Sequence, residues 1–233
     1  CDVRTNANSS KVIGCDGIKS QVRRLLVGED SPMANPSYSH RYAYRGLIPM
    51  DKAIAAVGFD LSANRTLHMG QNGHILTFPI AHGKIMNVVA FRYDPNEWQG
   101  DKLVVPTTRE EALQDYADWN HNARAIIGLL TDKIDKWAIF DLGDNPVDKF
   151  NEGRICLAGD AAHATSPHHG AGAGFCIEDS AVLSELLLTA WNSILDGQTR
   201  KPTARVLEDV LTVFNNARYE RTQWLVRSSR VSA

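Results

Sequence analysis

The stretch Gly153-Arg-Ile-Cys-Leu-Ala-Gly-Asp160-Ala-Ala-His163-Ala-Thr-Ser-Pro167-His168-His169-Gly170-Ala-Gly172-Ala-Gly174-Phe-Cys-Ile-Glu-Asp179 limits the fold more than any other part of this chain. A short apolar run, Ile155 to Ala158, stops at Gly159-Asp160, a loop of small residues follows, and a long helical pattern then begins. That order puts a carboxylate at a strand end and bare backbone N–H groups at a helix start. Helix N-termini of this kind bind anions, and a carboxylate accepts hydrogen bonds from hydroxyls. The competing reading is plain packing, since strand–glycine–helix junctions are common. His163, His168 and His169 lie close together but match no metal-ligand spacing, so no metal site is expected.

A second segment has the same construction. Val12-Ile-Gly-Cys-Asp16-Gly17-Ile-Lys-Ser20-Gln-Val-Arg23-Arg24 also runs from an apolar stretch through an acidic residue and a glycine into a helix. Asp-Gly alone signals only a turn. Together, Asp16-Gly17 with Ser20 and Arg23, and Gly159-Asp160-Ala-Ala-His163 with Pro167 and Gly170 to Gly174, resemble the two internal motifs of the flavin-dependent aromatic hydroxylases. These are the salicylate-hydroxylase-like monooxygenases of the p-hydroxybenzoate hydroxylase fold. Tyr42-Ala-Tyr44-Arg45-Gly-Leu-Ile-Pro49 is similar to fungal members, and the resemblance runs from about Lys11 to Ser229. The family's opening G-x-G-x-x-G is missing, and Gly170-Ala-Gly172-Ala-Gly174 has neither its spacing nor its place. The chain begins with a polar stretch, Cys1 to Ser10, and ends without a helix stop signal. It reads either as a piece of a longer protein or as a natural truncation.

Composition sets the remaining bounds. The chain has 233 residues, 43% of them hydrophobic and 22% charged, which suits a soluble globular protein of one large or two small domains. A net charge of −2 argues against nucleic acid and anionic membrane as partners. No apolar run reaches the roughly 18 residues of a membrane span. Of the four cysteines, Cys15 and Cys156 sit in apolar strand runs and read as reduced core thiols, which suits a reducing, cytoplasmic location.

Patterning predicts a strand over Lys11–Cys15, a helix over Lys19–Leu26 and a linker at Pro32 and Pro36. Strands are expected at 40–48, 65–69, 74–80 and 84–93, the last three as an antiparallel meander joined by short glycine-containing turns. A short helix at 50–57 interrupts them. Thr108-Arg-Glu-Glu111 is a capping box that should open a helix through Trp119, with a second over Asn122–Leu130. Strands at 136–141 and 155–158 precede two long amphipathic helices, one burying Leu183, Leu186 and Leu187, the other Val206, Val210 and Phe214. The expected fold is therefore α+β with α/β character. It combines a partial, Rossmann-like FAD-binding domain at 1–35, an inserted antiparallel substrate sheet at 36–141, and the remaining FAD-binding domain with C-terminal helices at 142–233. A strand near Val12 without parallel neighbours would leave an apolar edge, so the chain alone is expected to be marginally stable or to form a homodimer.

The resemblance implies FAD as cofactor, NAD(P)H as co-substrate, and hydroxylation of an electron-rich, phenolic ring by O₂. It implies cofactor contacts at Asp16, Gly17, Arg23, Gly159, Asp160, Gly170, Ala171, Gly172 and Ala173. Pro167 would set the loop beside the flavin, with His168 or His169 as a proton relay. The sheet would roof the flavin, with Tyr44, Arg45, Thr77, Phe78 and Pro79 as the substrate wall; Tyr44 reads equally well as a core aromatic. Arg218, Arg221, Arg227 and Arg230 form a basic stripe on the last helix, expected to be solvated or subunit-facing. Two other readings stand beside the hydroxylase. One is a redox-inactive relative serving as an aromatic-ligand-binding module or non-redox catalyst. The other is a flavoprotein of the same fold doing dehydrogenation or epoxidation.

Overall fold

Alternating apolar residues build the sheet elements, and residues spaced three and four apart build the helices that cover them. The computed structural model describes residues 11–232; Cys1 and the polar opening to Ser10 lie outside the described residues. In chain order the elements are β1 (Val12–Gly14), α1 (Gln21–Val27), a 3-10 turn (Pro32–Ala34), β2 (Ser37–Pro49), α2 (Met50–Val57), α3 (Phe59–Ala63), β3 (Thr66–Gly70), β4 (Gly73–Ile80), β5 (Ile85–Tyr93), β6 (Val104–Thr108), α4 (Arg109–Asp115), α5 (His121–Gly128), β7 (Lys133–Asp141), β8 (Asn151–Glu152), β9 (Ile155–Leu157), α6 (Asp160–His163), a second 3-10 turn (Pro167–His169), α7 (Gly172–Leu195) and α8 (Thr203–Val231). The chain divides into two units: His40–Ile139, and a second built from the segment ending at Ser39 with that beginning at Phe140. The boundaries fall inside β2 and β7.

The inserted unit is built on a sheet of order β3-β4-β5-β2-β7-β6. The meander forms as its turn signals predict: β3 pairs antiparallel with β4, and β4 with β5. At Gly73 only glycine fits, because a Cβ there would lie 2.1 Å from the Phe91 carbonyl oxygen across the ladder. One sheet face carries Tyr44, Ile48, Ile75, Met86, Val88 and Ala90 into a core closed by Met50 and Ala53 of α2, Ala112 of α4, and Ile126 and Ile127 of α5. Half of the capping box forms: Thr108 Oγ1 accepts from the Glu111 N–H at 3.2 Å, while the Glu111 carboxylate accepts from Thr107 Oγ1 and pairs with Lys136 instead of reaching back. Its helix stops at Asp115 rather than Trp119, because Tyr116 and Trp119 turn inward and the Tyr116 hydroxyl donates to the Phe91 carbonyl at 2.9 Å.

The other unit holds both glycine–aspartate segments. β1 pairs in parallel with β9, Val12 opposite Ile155 and Gly14 opposite Leu157, and β8 closes the far side of β9. The expectation that β1 lacks a parallel neighbour is thus corrected on one side. The register that aligns the two apolar runs also aligns the two turns that follow them. Leu157, Ala158, Ala161, Val22, Leu183, Leu211 and Phe214 form the core between this small sheet and its helices. α8 runs well past the predicted apolar stretch, to Val231. No helix among the described residues is long and apolar enough to cross a membrane.

Candidate functional site: two strand-end turns and an uncapped helix

Because β1 and β9 are parallel neighbours, their C-terminal ends deliver Asp16-Gly17 and Gly159-Asp160 to the same edge of the sheet. Ligands of open parallel sheets bind outside such ends. A cleft of about 230 Å³ opens there, lined by Cys15, Gly17, Ala158, Gly159, Asp160, Cys176 and Ser180. Gly17, Gly159 and Asp160 were predicted from the sequence; Cys15, Cys176 and Ser180 were not. Cys15 is exposed at this cleft rather than buried in the core, whereas Cys156 is buried. Burial, with the nearby carboxylates Asp16 and Asp179, raises the Cys15 thiol. Burial also raises Cys176, with Asp160 and Asp179 adding to it, so both line the cleft as neutral thiols.

Gly159 sits at φ +63° and ψ −148°, backbone that side-chain-bearing residues avoid. A Cβ there would also come within 3.3 Å of Cys176 Sγ. The turn leaves Asp160 exposed at the head of α6.

The two helices that follow the glycine segments start in opposite ways. At α1, Asp16 Oδ2 accepts from the Gln21 N–H at 2.7 Å and the Val22 N–H at 3.2 Å. Its Oδ1 accepts from Ser20 Oγ at 2.5 Å, and Ser20 in turn accepts from the Arg23 N–H. That helix start is closed by its own side chains. Burial alone would raise the Asp16 carboxyl, but these hydrogen bonds hold it below its usual value. At α7 no side chain caps the start. Its first-turn donors, the N–H groups of Gly172, Ala173 and Gly174, have no intrahelical acceptor by helix geometry. A Cβ built on Gly174 meets nothing within 4 Å, so the backbone can be approached closely. The helix begins at Gly172, which places Gly172 and Ala173 in the first turn, after Gly170 at φ +62° and Ala171 at the cap. None of these four lines the 230 Å³ cleft.

Arg23 is corrected as a ligand contact. Its side chain is wholly buried, and its guanidinium donates to the carbonyls of Ile18, Ala34 and Ala161. It ties the two strand-end turns together from below. Pro167 is exposed on the second 3-10 turn, His168 beside it is half-buried, and His169 stacks on Trp224 with ring centroids 6.2 Å apart.

The basic stripe on α8 is corrected in part: Arg221 and Arg227 are exposed as expected, but Arg218 and Arg230 are drawn inward. Arg218 is buried and pairs with Asp179 and Glu178, Arg221 pairs with Glu178, and Arg230 pairs with Asp141 and Asp144. Asp179 is the centre of this network. Its Oδ2 accepts from the Gly159 N–H at 2.8 Å and from His163 Nε2 at 2.7 Å, while Oδ1 accepts from Arg218 Nε at 2.7 Å. Burial would raise its carboxyl, yet His163, Gly159 and Arg218 together hold it below the ordinary range.

In the inserted unit, strand alternation splits the predicted substrate wall. Tyr44, Thr77 and Pro79 share the helix-covered face with Met86 and Val88, and Tyr44 and Thr77 have no exposed surface. The Tyr44 and Tyr42 hydroxyls both donate to Asp115 Oδ2, at 2.6 and 2.5 Å. Arg45 and Phe78 point to the opposite, open face with Leu47, Leu76, Val89 and Trp137. There the Arg45 guanidinium lies 5.0 Å from the Trp137 ring centroid.

The family described as "FAD binding domain" matches residues 3–201. An FAD-dependent monooxygenase, pigN of Monascus ruber, is 49% identical over 228 residues, covering 97% of this chain and 52% of that protein. Salicylate hydroxylase asL1 of Sarocladium schorii is 40% identical over 231 residues, covering 97% and 48%. A solved salicylate hydroxylase substrate complex superposes with a TM-score of 0.80 at 30% identity, over 96% of this chain and 54% of that one. Klebsiella pneumoniae HpxO, solved with FAD and uric acid, shares the fold at a TM-score of 0.70 and 23% identity, over 94% of this chain and 50% of that one. The chain spans about half the length of the curated relatives it matches.

Proposed function

The chain belongs to the FAD binding domain family, and from that premise we propose that it serves an FAD-dependent monooxygenase that hydroxylates an electron-rich, phenolic ring using NAD(P)H and O₂. The observation that carries this reading is the shared edge at which both strand-end turns emerge, with Asp160 exposed beside Gly159 and an α7 start that no side chain closes. These residues fit a flavin nucleotide. Asp160 offers a carboxylate to ribityl hydroxyls. Gly17 and Gly159 line the cleft without side chains, and Asp16 borders it while capping α1. Ala171, Gly172 and Ala173 bring N–H groups to a helix start that stabilises negative charge, and Gly170, its own N–H bonded to the Pro167 carbonyl, makes the left-handed turn before them. When bound, FAD supplies the electron transfer and oxygen chemistry that no side chain has.

The cofactor-binding role is assigned to the unit holding β1 and β9, and the substrate-binding role to the inserted sheet, His40–Ile139. On that sheet Arg45 is the residue placed to meet a phenolate or carboxylate, with Phe78 in the apolar surface around it. Pro167 shapes the loop before α7, and an imidazole at His168 passes a proton to or from substrate.

Purified protein titrated with FAD, followed by absorbance and flavin fluorescence, tests the reading. Bound flavin with peaks displaced from free FAD is the expected result, followed by NADH or NADPH oxidation that phenols accelerate. Absence of any flavin affinity would remove the cofactor assignment from this chain.

A further inference from the structure

We infer that Arg218 is a positioning residue for the cofactor: from α8 it holds both the Gly159–Asp160 turn and the first turns of α7 in one register. The inference rests on the flavin reading given above. Arg218 has 4% of its side chain exposed and uses three arms. Nε donates to Asp179 Oδ1 at 2.7 Å, Nη1 to Glu178 Oε2 at 2.7 Å, and Nη2 to the Phe175 carbonyl at 3.3 Å. Its guanidinium also lies 5.6 Å from the Phe175 ring centroid. Phe175 directly follows Gly172, Ala173 and Gly174, the three residues that present free N–H groups. Asp179, held by the same guanidinium, accepts the Gly159 N–H with its other oxygen. Arg221 pins Glu178 from outside through two hydrogen bonds of 2.8 Å.

A carboxylate acceptor and a helix-start donor therefore share one anchor, although neither touches it. Their separation determines whether hydroxyl-bearing and anionic parts of one ligand are met together. A misplacement of about 1 Å can cost up to roughly a hundredfold in such a site. Arginine is needed because its planar fork serves three acceptors at fixed angles; a lysine ammonium is a point charge on a flexible stem.

Arg218→Lys separates positioning from stability, because it keeps a cation beside Asp179 and loses the fork. Its FAD dissociation constant is expected to rise about tenfold, within that misplacement range. Its urea midpoint should stay near that of the unaltered protein. Amide exchange without flavin should quicken only at Gly159, Ala162, His163 and Phe175, whose N–H groups are bonded in these turns, whereas a merely structural role would quicken it across the unit. If this variant does not fold, Glu178→Ala removes the outer arm at the rim while Arg218 stays paired with Asp179, and about a threefold loss of affinity is expected. FAD binding unchanged in the folded variant, or exchange quickened evenly, overturns the inference. No FAD binding by the unaltered protein overturns the flavin reading first, and the positioning role with it.

Discussion

Asp179→Ala should lower the stability of its unit by about 3–5 kcal/mol, the usual consequence of removing one partner from a buried ion pair. Asp179 has 1% of its surface exposed, and three donors converge on it. Without the carboxylate, Arg218 keeps its charge in a buried site with only Glu178 at its outer end. Urea unfolding of the variant reads the effect, and a loss below about 1 kcal/mol, as for an exposed pair, would show the network to be solvated. The pH dependence has a defined sign. The folded carboxyl is held below the ordinary aspartate range, so its contribution is complete above that range. It is lost as pH falls through the lower, folded value. The Asp179→Ala variant should therefore differ most from the unaltered protein near neutrality and converge on it in strong acid.

Asp160→Ala should do the reverse, leaving stability nearly untouched and weakening FAD binding by about tenfold to a hundredfold. Charge-assisted hydrogen bonds are worth roughly 1.5–3 kcal/mol, and Asp160 is exposed at the cleft with no core role. Asp160→Asn should fall between the two, since the amide keeps one acceptor oxygen. Calorimetric titration with FAD distinguishes these cases. Equal affinity in all three proteins would move the ribityl contact away from this turn.

The turns were legible in the sequence because their backbone demands particular residues. Gly159 must be glycine at its φ, and Asp16 must be short and polar to reach back to Gln21 and Val22. The Asp179–Arg218 pair was not legible, because 39 positions separate the partners and each reads alone as a polar position on an amphipathic helix. The sheet shows a third case. Its period of two was visible, but the phase was not. Tyr44 and Arg45 are both amphipathic, and only the helices packed on one face decide which is covered. β6 escaped notice because its proline reads as a strand breaker, although Pro106 is tolerated on an edge strand.

The buried bond from Arg23 to the Ala161 carbonyl joins residues 138 positions apart. Closing a loop of that length in an unfolded chain costs about 4 kcal/mol of entropy beyond a constant. The inserted unit changes that cost, because its chain enters on β2 and leaves on β7, which are neighbouring strands. Once its sheet forms, the effective loop shrinks to a few tens of residues and the cost falls by roughly 1 kcal/mol. The expected folding order is the inserted sheet first and the β1–β9 pairing second. Pulse-labelled amide exchange during refolding should find β4 and β5 protected before β9; simultaneous protection would mean that the two units fold as one.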